Sequence, residues 1–461
     1  SLQEIGAYAF YGCSTLDNNS LDGNSIIPQS VKRIGAYAFM QTMLWGKPEN
    51  NIIYAGNWVV GFAENAKLGA AELKDSVVGI ADNAFFQCGT LTSLKNLSKC
   101  AYIGTAAFYE CTALETVSLN PRLETVEAYT FYKCKSLFRV SIPTMLRSVG
   151  RSAFYGCSNL ETVTFGENLT GLGRYSFKNC STLTAVELPD TVTAVPEHAF
   201  ANCSALVTLK LGSGVTSIGD KAFYKCAGLS EVVLPDSVRT VGKSAFYKCV
   251  SLATLTLGNS LERIGDFAFY NDSGIGSLIL PGTLKQVGKY AFKGLNSLTA
   301  LIIPKEVATV AGNAFYGCSN ATFYIEEGAD TSEWNRRWNS SNRPVVSGVR
   351  LADEGGYAAS LTTGEGTVKN GTYLSDQITP IADPTRAGYT FAGWKAAGSD
   401  TPYNAGATIT FNGQDVELIA QWTPKMQQVD LGIFVKKQFN MTEENELANP
   451  GETFTVTVKQ T

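Results

Sequence analysis

One histidine, His198, stands in 461 residues. A zinc site or a Ser-His-Asp triad would therefore rest on that single side chain, and no GxSxG elbow accompanies it. Eleven cysteines are present without one CxxC pair, which removes the spacing used by zinc ribbons and thiol redox motifs. There is no P-loop, no GxGxxG after a strand and no EF-hand loop. No apolar run approaches the roughly 20 residues that a membrane helix needs. The net charge of −4, with both signs interspersed along the chain, leaves no electrostatic footprint for nucleic acid and no polybasic membrane segment. Adjacent carboxylates such as Glu326-Glu327 and Glu443-Glu444 read as solvated turn charges, and nothing nominates a pair for hydrolysis. Neither catalysis nor a cofactor nor a metal is expected.

What the chain has in excess is repetition. Phe108, Phe131, Phe154, Phe177, Phe200, Phe223, Phe246, Phe269, Phe292 and Phe315 follow at a constant interval of 23 residues. Stepping back finds Phe85, Phe62 and Phe39, then Phe10 after a 6-residue insertion, for fourteen units. Each unit offers about six apolar side chains, too few to offset the ordering of its own backbone. Such units fold only when stacked, so the period predicts a solenoid.

Counting from the phenylalanine as zero, apolar residues recur at +6, +9, +11, +15 and +18, as in Leu229, Val232, Leu234, Val238 and Val241. The +9/+11 pair alternates and reads as a short strand. Proline at +12 (Pro189, Pro235) or glycine (Gly212, Gly258) ends it, since proline cannot donate to a ladder. A second extended piece holds +15 and +18 and stops at a frequent glycine, and an Ala-Phe turn closes the coil.

The pattern LxxVxLPxxVxxVGxxAFxxC, carried by residues such as Leu229–Cys249, closely resembles the BspA-like leucine-rich repeats of bacterial surface proteins over nearly all of residues 1–325. The resemblance implies a right-handed leucine-rich-repeat solenoid, β-rich, with a parallel sheet on its concave side and turns or short 3-10 pieces on its convex side. It also implies a secreted or wall-attached protein that binds other proteins.

Ten cysteines, from Cys13 to Cys318, fall at +3, and Cys100 falls at +15. Equivalent positions on adjacent rungs lie about 4.8 Å apart with parallel Cα–Cβ vectors, whereas a disulfide wants Cβ atoms about 3.8 Å apart. A buried column of free thiols is expected. Asp272 and Leu295 replace the cysteine in two units.

Candidate contact residues come from departures and from exposed rows. The stretch between Phe39 and Phe62 replaces the consensus with Trp45, Tyr54 and Trp58. These rings are either an aromatic contact site or fillers for missing lattice residues, and the second reading is favoured. Tyrosines recur at +1 (Tyr109, Tyr132, Tyr247) and −2 (Tyr129, Tyr175, Tyr290), where packing between turns is favoured over recognition. His198, at −2, is expected on the convex surface. The +10 position drifts from Glu187 and Lys210 to Val233, Thr256, Ile279 and Ile302. With Phe138 earlier, Val233, Ile279 and Ile302 form a candidate partner strip, or a patch covered by an adjoining module.

After Phe315 the period fails. Residues 326–347, with Trp334 and Trp338 four apart on one face of a short helix, resemble the family's C-terminal cap and would cover the last rung. Residues 348–425, with Gly388-Tyr389-Thr390-Phe391, Gly393-Trp394 and Ala420-Gln421-Trp422, resemble the Listeria-Bacteroides repeat, which implies a small all-β, β-grasp-like module. Residues 426–461 look like the opening of a further β-sandwich-like surface module. In some pilin-type modules a first-strand lysine forms an isopeptide bond, which would point at Lys436 or Lys437. The chain begins inside a unit, without methionine, and is expected to be a processed or trimmed piece. The whole reads as a monomeric surface adhesin for extracellular or host matrix proteins, or else as a passive wall spacer.

Overall fold

The computed structural model describes residues 2–18, 26–276, 278–326 and 328–349, and seven strand segments between 358 and 424. Residues 426–461, with Lys436 and Lys437, lie outside the described residues. The chain divides into two compact units, Ser1–Ser347 and Gly348–Thr461.

The first unit is a solenoid of about 12 turns with almost no helix. Each regular rung carries two short strands. In Glu231–Val233 the outer residues are exposed and Val232 is buried, the alternation that its sequence requires. The strand pairs in parallel with Thr254–Thr256, Glu231 opposite Thr254 and Val233 opposite Thr256. A step of 23 residues thus sets each side chain on its equivalent in the next coil. The second strands are two residues long, and six of them, from Ala194–Val195 to Thr309–Val310, form one continuous parallel sheet.

The Ala-Phe turns build a third ladder. In one turn the backbone amides of Ala106, Phe108 and Glu110 donate to Ala128, Thr130 and Tyr132 of the next rung, at 2.7–2.9 Å. The intervening amides of Ala107, Tyr109 and Cys111 donate within the turn to Gly104, Ala106 and Phe108. Alternate amides can point between rungs because the −2 and +2 residues take left-handed backbone, as Ala106 (φ 52°) and Glu110 (φ 54°) do. That conformation is costly for residues with a Cβ, and the ladder that it completes satisfies every amide of the turn.

The core is a set of files. From Phe85 to Phe315 the phenylalanine rings stack at 5.1–5.6 Å, tilted by 14° at most. Beside them runs the cysteine file, all free and all buried except Cys13, which is exposed. Each buried +3 thiol from Cys111 to Cys249, and Cys318 likewise, donates to the carbonyl of the preceding rung's phenylalanine, as Cys134 does to Phe108 at 3.1 Å. Burial pushes the Cys203 thiol up to about 12. Asp272 interrupts the file. It is fully buried, neither carboxyl oxygen has a hydrogen-bond partner, and burial holds its pKa well above the usual carboxylate range.

Phe62 departs from the lattice. It lies in the hairpin formed by Ile52–Ala55 and Trp58–Phe62, not in an Ala-Phe turn, although its ring still covers Phe85 at 6.3 Å. The hairpin's second strand takes the place of a rung, with Val59 opposite Ile80. At the other end, residues 331–341 are turns and bends and not the expected helix. The covering role is filled without it. Trp334 is buried and its Nε1 donates to the Val307 carbonyl at 2.9 Å, while Trp338 stands edge-on to Phe315.

The described residues of the second unit form a small β module. Its five-stranded sheet runs Thr367–Thr372, Ala358–Thr362, Val416–Pro424, Tyr389–Ala396, Pro402–Tyr403. The central pair is parallel and the flanking pairs are antiparallel. Trp394 is buried in it, edge-on to Phe391.

Candidate functional site

The strand face of the solenoid changes character along its length. At +10, Glu187 and Lys210 are joined by an ion pair of 2.8 Å, and the next residues in the row are Val233, 49% exposed, and Thr256, also exposed. Ile279, 51% exposed, follows and sits opposite the half-buried Ile302, which in turn sits opposite Tyr324. Val233, Ile279 and Ile302 thus form a row one residue wide, interrupted by Thr256. The flanking +8 positions carry Glu231 and Thr254.

Phe138 is exposed but stands at +7, four rungs before Val233, outside that row. Trp45 is half-buried and its ring lies where a Cβ on Gly61 would fall, 2.6 Å away. Trp58 is 2% exposed. Its indole crosses the empty place left by Gly79, where a Cβ would meet it at 2.5 Å, and stacks on Tyr102 at 5.8 Å. Both tryptophans are engaged in packing. His198, expected on the convex surface, has a largely buried side chain stacked on Tyr175 at 4.9 Å.

Beside Trp58 lies a cleft of about 420 Å³ that the repeat pattern gave no reason to expect. Lys32, Arg33, Tyr102, Arg122 and Glu127 are among the residues around it. The Arg33 guanidinium donates to Asp82 at 2.8 Å and pairs with Glu4 at 3.3 Å; the other Asp82 oxygen accepts the Thr105 amide at 2.8 Å. Burial raises the Glu127 carboxyl, with Asp82 adding to the rise and Arg33 opposing it. The cleft arises where the hairpin stands in for a rung. Its sequence signal was the loss of the consensus between Phe39 and Phe85. Among the described residues no group of three or more His, Cys, Asp or Glu could hold a metal ion, and the cleft assembles no nucleophile with a base.

Residues 1–46, 78–207 and 193–322 match the BspA type leucine rich repeat region, in six copies, and the chain belongs to that family. The unmatched residues between 46 and 78 contain the hairpin. Residues 354–421 match the Listeria-Bacteroides repeat domain. Repeats of both kinds are typical of bacterial cell-surface proteins. Similar solved structures include a leucine-rich repeat protein from Bacteroides ovatus, 23% identical, covering 63% of this chain and 94% of that one with a TM-score of 0.34. A leucine rich cell surface protein from Faecalibacterium prausnitzii is 21% identical, covering 74% of this chain and 86% of that one, with a TM-score of 0.38. The pneumococcal vaccine antigen PcpA is 16% identical, covering 75% and 85%, with a TM-score of 0.30. No curated protein matches the chain.

Proposed function

We propose that the chain is the binding portion of a bacterial surface adhesin. Its solenoid holds a host or neighbouring-cell protein on the strand face without catalysing a reaction. The carrying observation is the row of Val233, Ile279 and Ile302, apolar and partly exposed at a position that carries Glu187 and Lys210 in the two rungs before it. Ile279 and Ile302 sit opposite each other on paired strands, and apolar side chains on hydrogen-bonded strands lose little conformational freedom when a partner covers them. Membership of a repeat family typical of cell surfaces supports the setting.

The test is binding of the chain to a panel of immobilised extracellular-matrix proteins, against an Ile279→Asp, Ile302→Asp double variant whose fold is checked by circular dichroism. Saturable binding that falls at least about tenfold in the variant supports the reading, since a charge set in an apolar contact costs more than about 1.4 kcal/mol. Binding unchanged in the folded variant removes this row from the site. No saturable binding by either protein favours a spacer with no specific ligand.

A further inference from the structure

Lysines and carboxylates that alternate along the sequence are sorted by the stacking. Consider the turns from Phe131 to Phe292, from three residues before each phenylalanine to four after it. They hold eleven lysines and arginines against four acidic residues, one of which is the buried Asp272. The whole chain carries −4. One edge of an acidic protein is therefore a cationic strip.

The cations on this edge are held in place. Lys133, Lys225 and Lys248 lie over the rings of Tyr132, Tyr224 and Tyr247 at 5.2, 5.4 and 5.7 Å. Lys293 lies over Tyr270 at 4.8 Å and donates to its hydroxyl at 3.0 Å. The tyrosines themselves stack, Tyr109, Tyr132 and Tyr155 at 4.5 and 4.8 Å, and Tyr224, Tyr247 and Tyr270 at 4.9 and 4.6 Å. Between these two runs Lys178, Lys221 and His198 crowd together. Burial and the charge of Lys221 lower the Lys178 pKa; burial, Lys178 and Lys221 lower that of His198. The buried His198 Nδ1 has no hydrogen-bond partner. Arg174 is paired with Glu197 and Lys133 with Glu110, but among the described residues Lys178, Lys221, Lys225, Lys243, Lys248 and Lys289 have no ion pair. An anion laid along this edge would relieve the repulsion that they share.

We propose that the turn edge binds a linear polyanionic polysaccharide, bearing sulfate or uronic carboxylate groups, that runs parallel to the stack. The tyrosines decide against a single-stranded nucleic acid. Within each run their faces are covered by one another, at interplanar angles of 8–14°, so bases would find a ring face only at the end of a run. What reaches solvent is a file of ring edges and hydroxyls alternating with ammonium groups, which complements sulfate, carboxylate and sugar hydroxyls.

Binding of the full chain to immobilised heparin, a sulfated glycan, tests this, with neutral dextran, oligo-dT and phosphatidylserine vesicles as parallel arms. A Lys225→Glu, Lys243→Glu, Lys248→Glu variant is compared with Lys95→Glu, Lys210→Glu, Lys285→Glu, which makes the same charge change outside the turn edge. The expected result is heparin binding that weakens as salt rises, falls about tenfold or more in the turn variant and changes less than about threefold in the control. Dextran should not bind. Absence of heparin binding at low salt, or equal loss in both variants, overturns the proposal. So does equal or tighter binding of oligo-dT or of the vesicles, which assigns the edge to nucleic acid or to membrane.

Discussion

From Phe85 to Phe315 the molecule repeats itself; between Lys47 and Val77 it does not, and the two regions divide the work. In the regular rungs nearly every buried residue serves the files, and what varies lies outside, at +10 or along the turns. The hairpin of residues 52–62 breaks the files; Trp45 and Trp58 fill the space over Gly61 and Gly79, and a cleft is left beside Trp58. Repetition yields long surfaces of one character, while a break yields a concavity.

The largest test of this division is the phenylalanine file. Phe200 is fully buried between Phe177 and Phe223 at 5.4 and 5.5 Å, so Phe200→Ala should cost about 3–5 kcal/mol. Phe62 is half-buried and covers one neighbour only at 6.3 Å; Phe62→Ala should cost about 1–2 kcal/mol. Urea unfolding of both variants measures the difference. Equal losses would mean that the hairpin is built into the core as tightly as any rung.

A smaller effect probes an irregularity inside the regular part. Asp272 occupies a thiol position with no partner for either oxygen. Asp272→Cys puts a thiol that can donate to the phenylalanine carbonyl, as in the other rungs, where a carboxyl has no partner, and should stabilise by about 1–3 kcal/mol at neutral pH. The pH dependence has a definite sign. The folded carboxyl titrates well above its ordinary value, so above about pH 4 the unfolded chain has released a proton that the folded chain keeps. Wild-type stability should then decline relative to the variant as pH rises from about 4, and below that the difference between the two should stay constant. A gap that does not change with pH would show that Asp272 finds a charged-state partner.

Much of the fold was legible because its information is periodic. The 23-residue step in phenylalanine fixed which residues stack, and proline at +12 marked a strand end. Three features were not legible. Phe62 satisfies the count but not the local turn: Gly61 supplies the small residue, but neither Val60 at −2 nor Glu64 at +2 takes the left-handed backbone that an Ala-Phe turn needs. The tryptophans of the cap do their packing from turns, since aromatic contact and two backbone bonds, Asn335 amide to Val310 carbonyl and Asn313 amide to Arg337 carbonyl, hold the segment without a helix. The cationic edge was hidden by averaging: −4 over the chain says nothing about which charges share a side once rungs are superposed. At the candidate site, the drift at +10 could be read from the sequence. The loss of the consensus between Phe39 and Phe85 marked where the repeat fails but not the cleft itself, which depends on Trp58 reaching across Gly79 to Tyr102.

Thiol counting tests the stacking most directly. In the native protein, without reductant, one cysteine, the exposed Cys13, should react quickly with a thiol reagent, and the ten buried ones should stay protected. In denaturant all eleven cysteines should titrate. Several fast thiols in the native state, or fewer than eleven in the unfolded one because disulfides had formed, would contradict a continuous file of buried thiols and the rung geometry built on it.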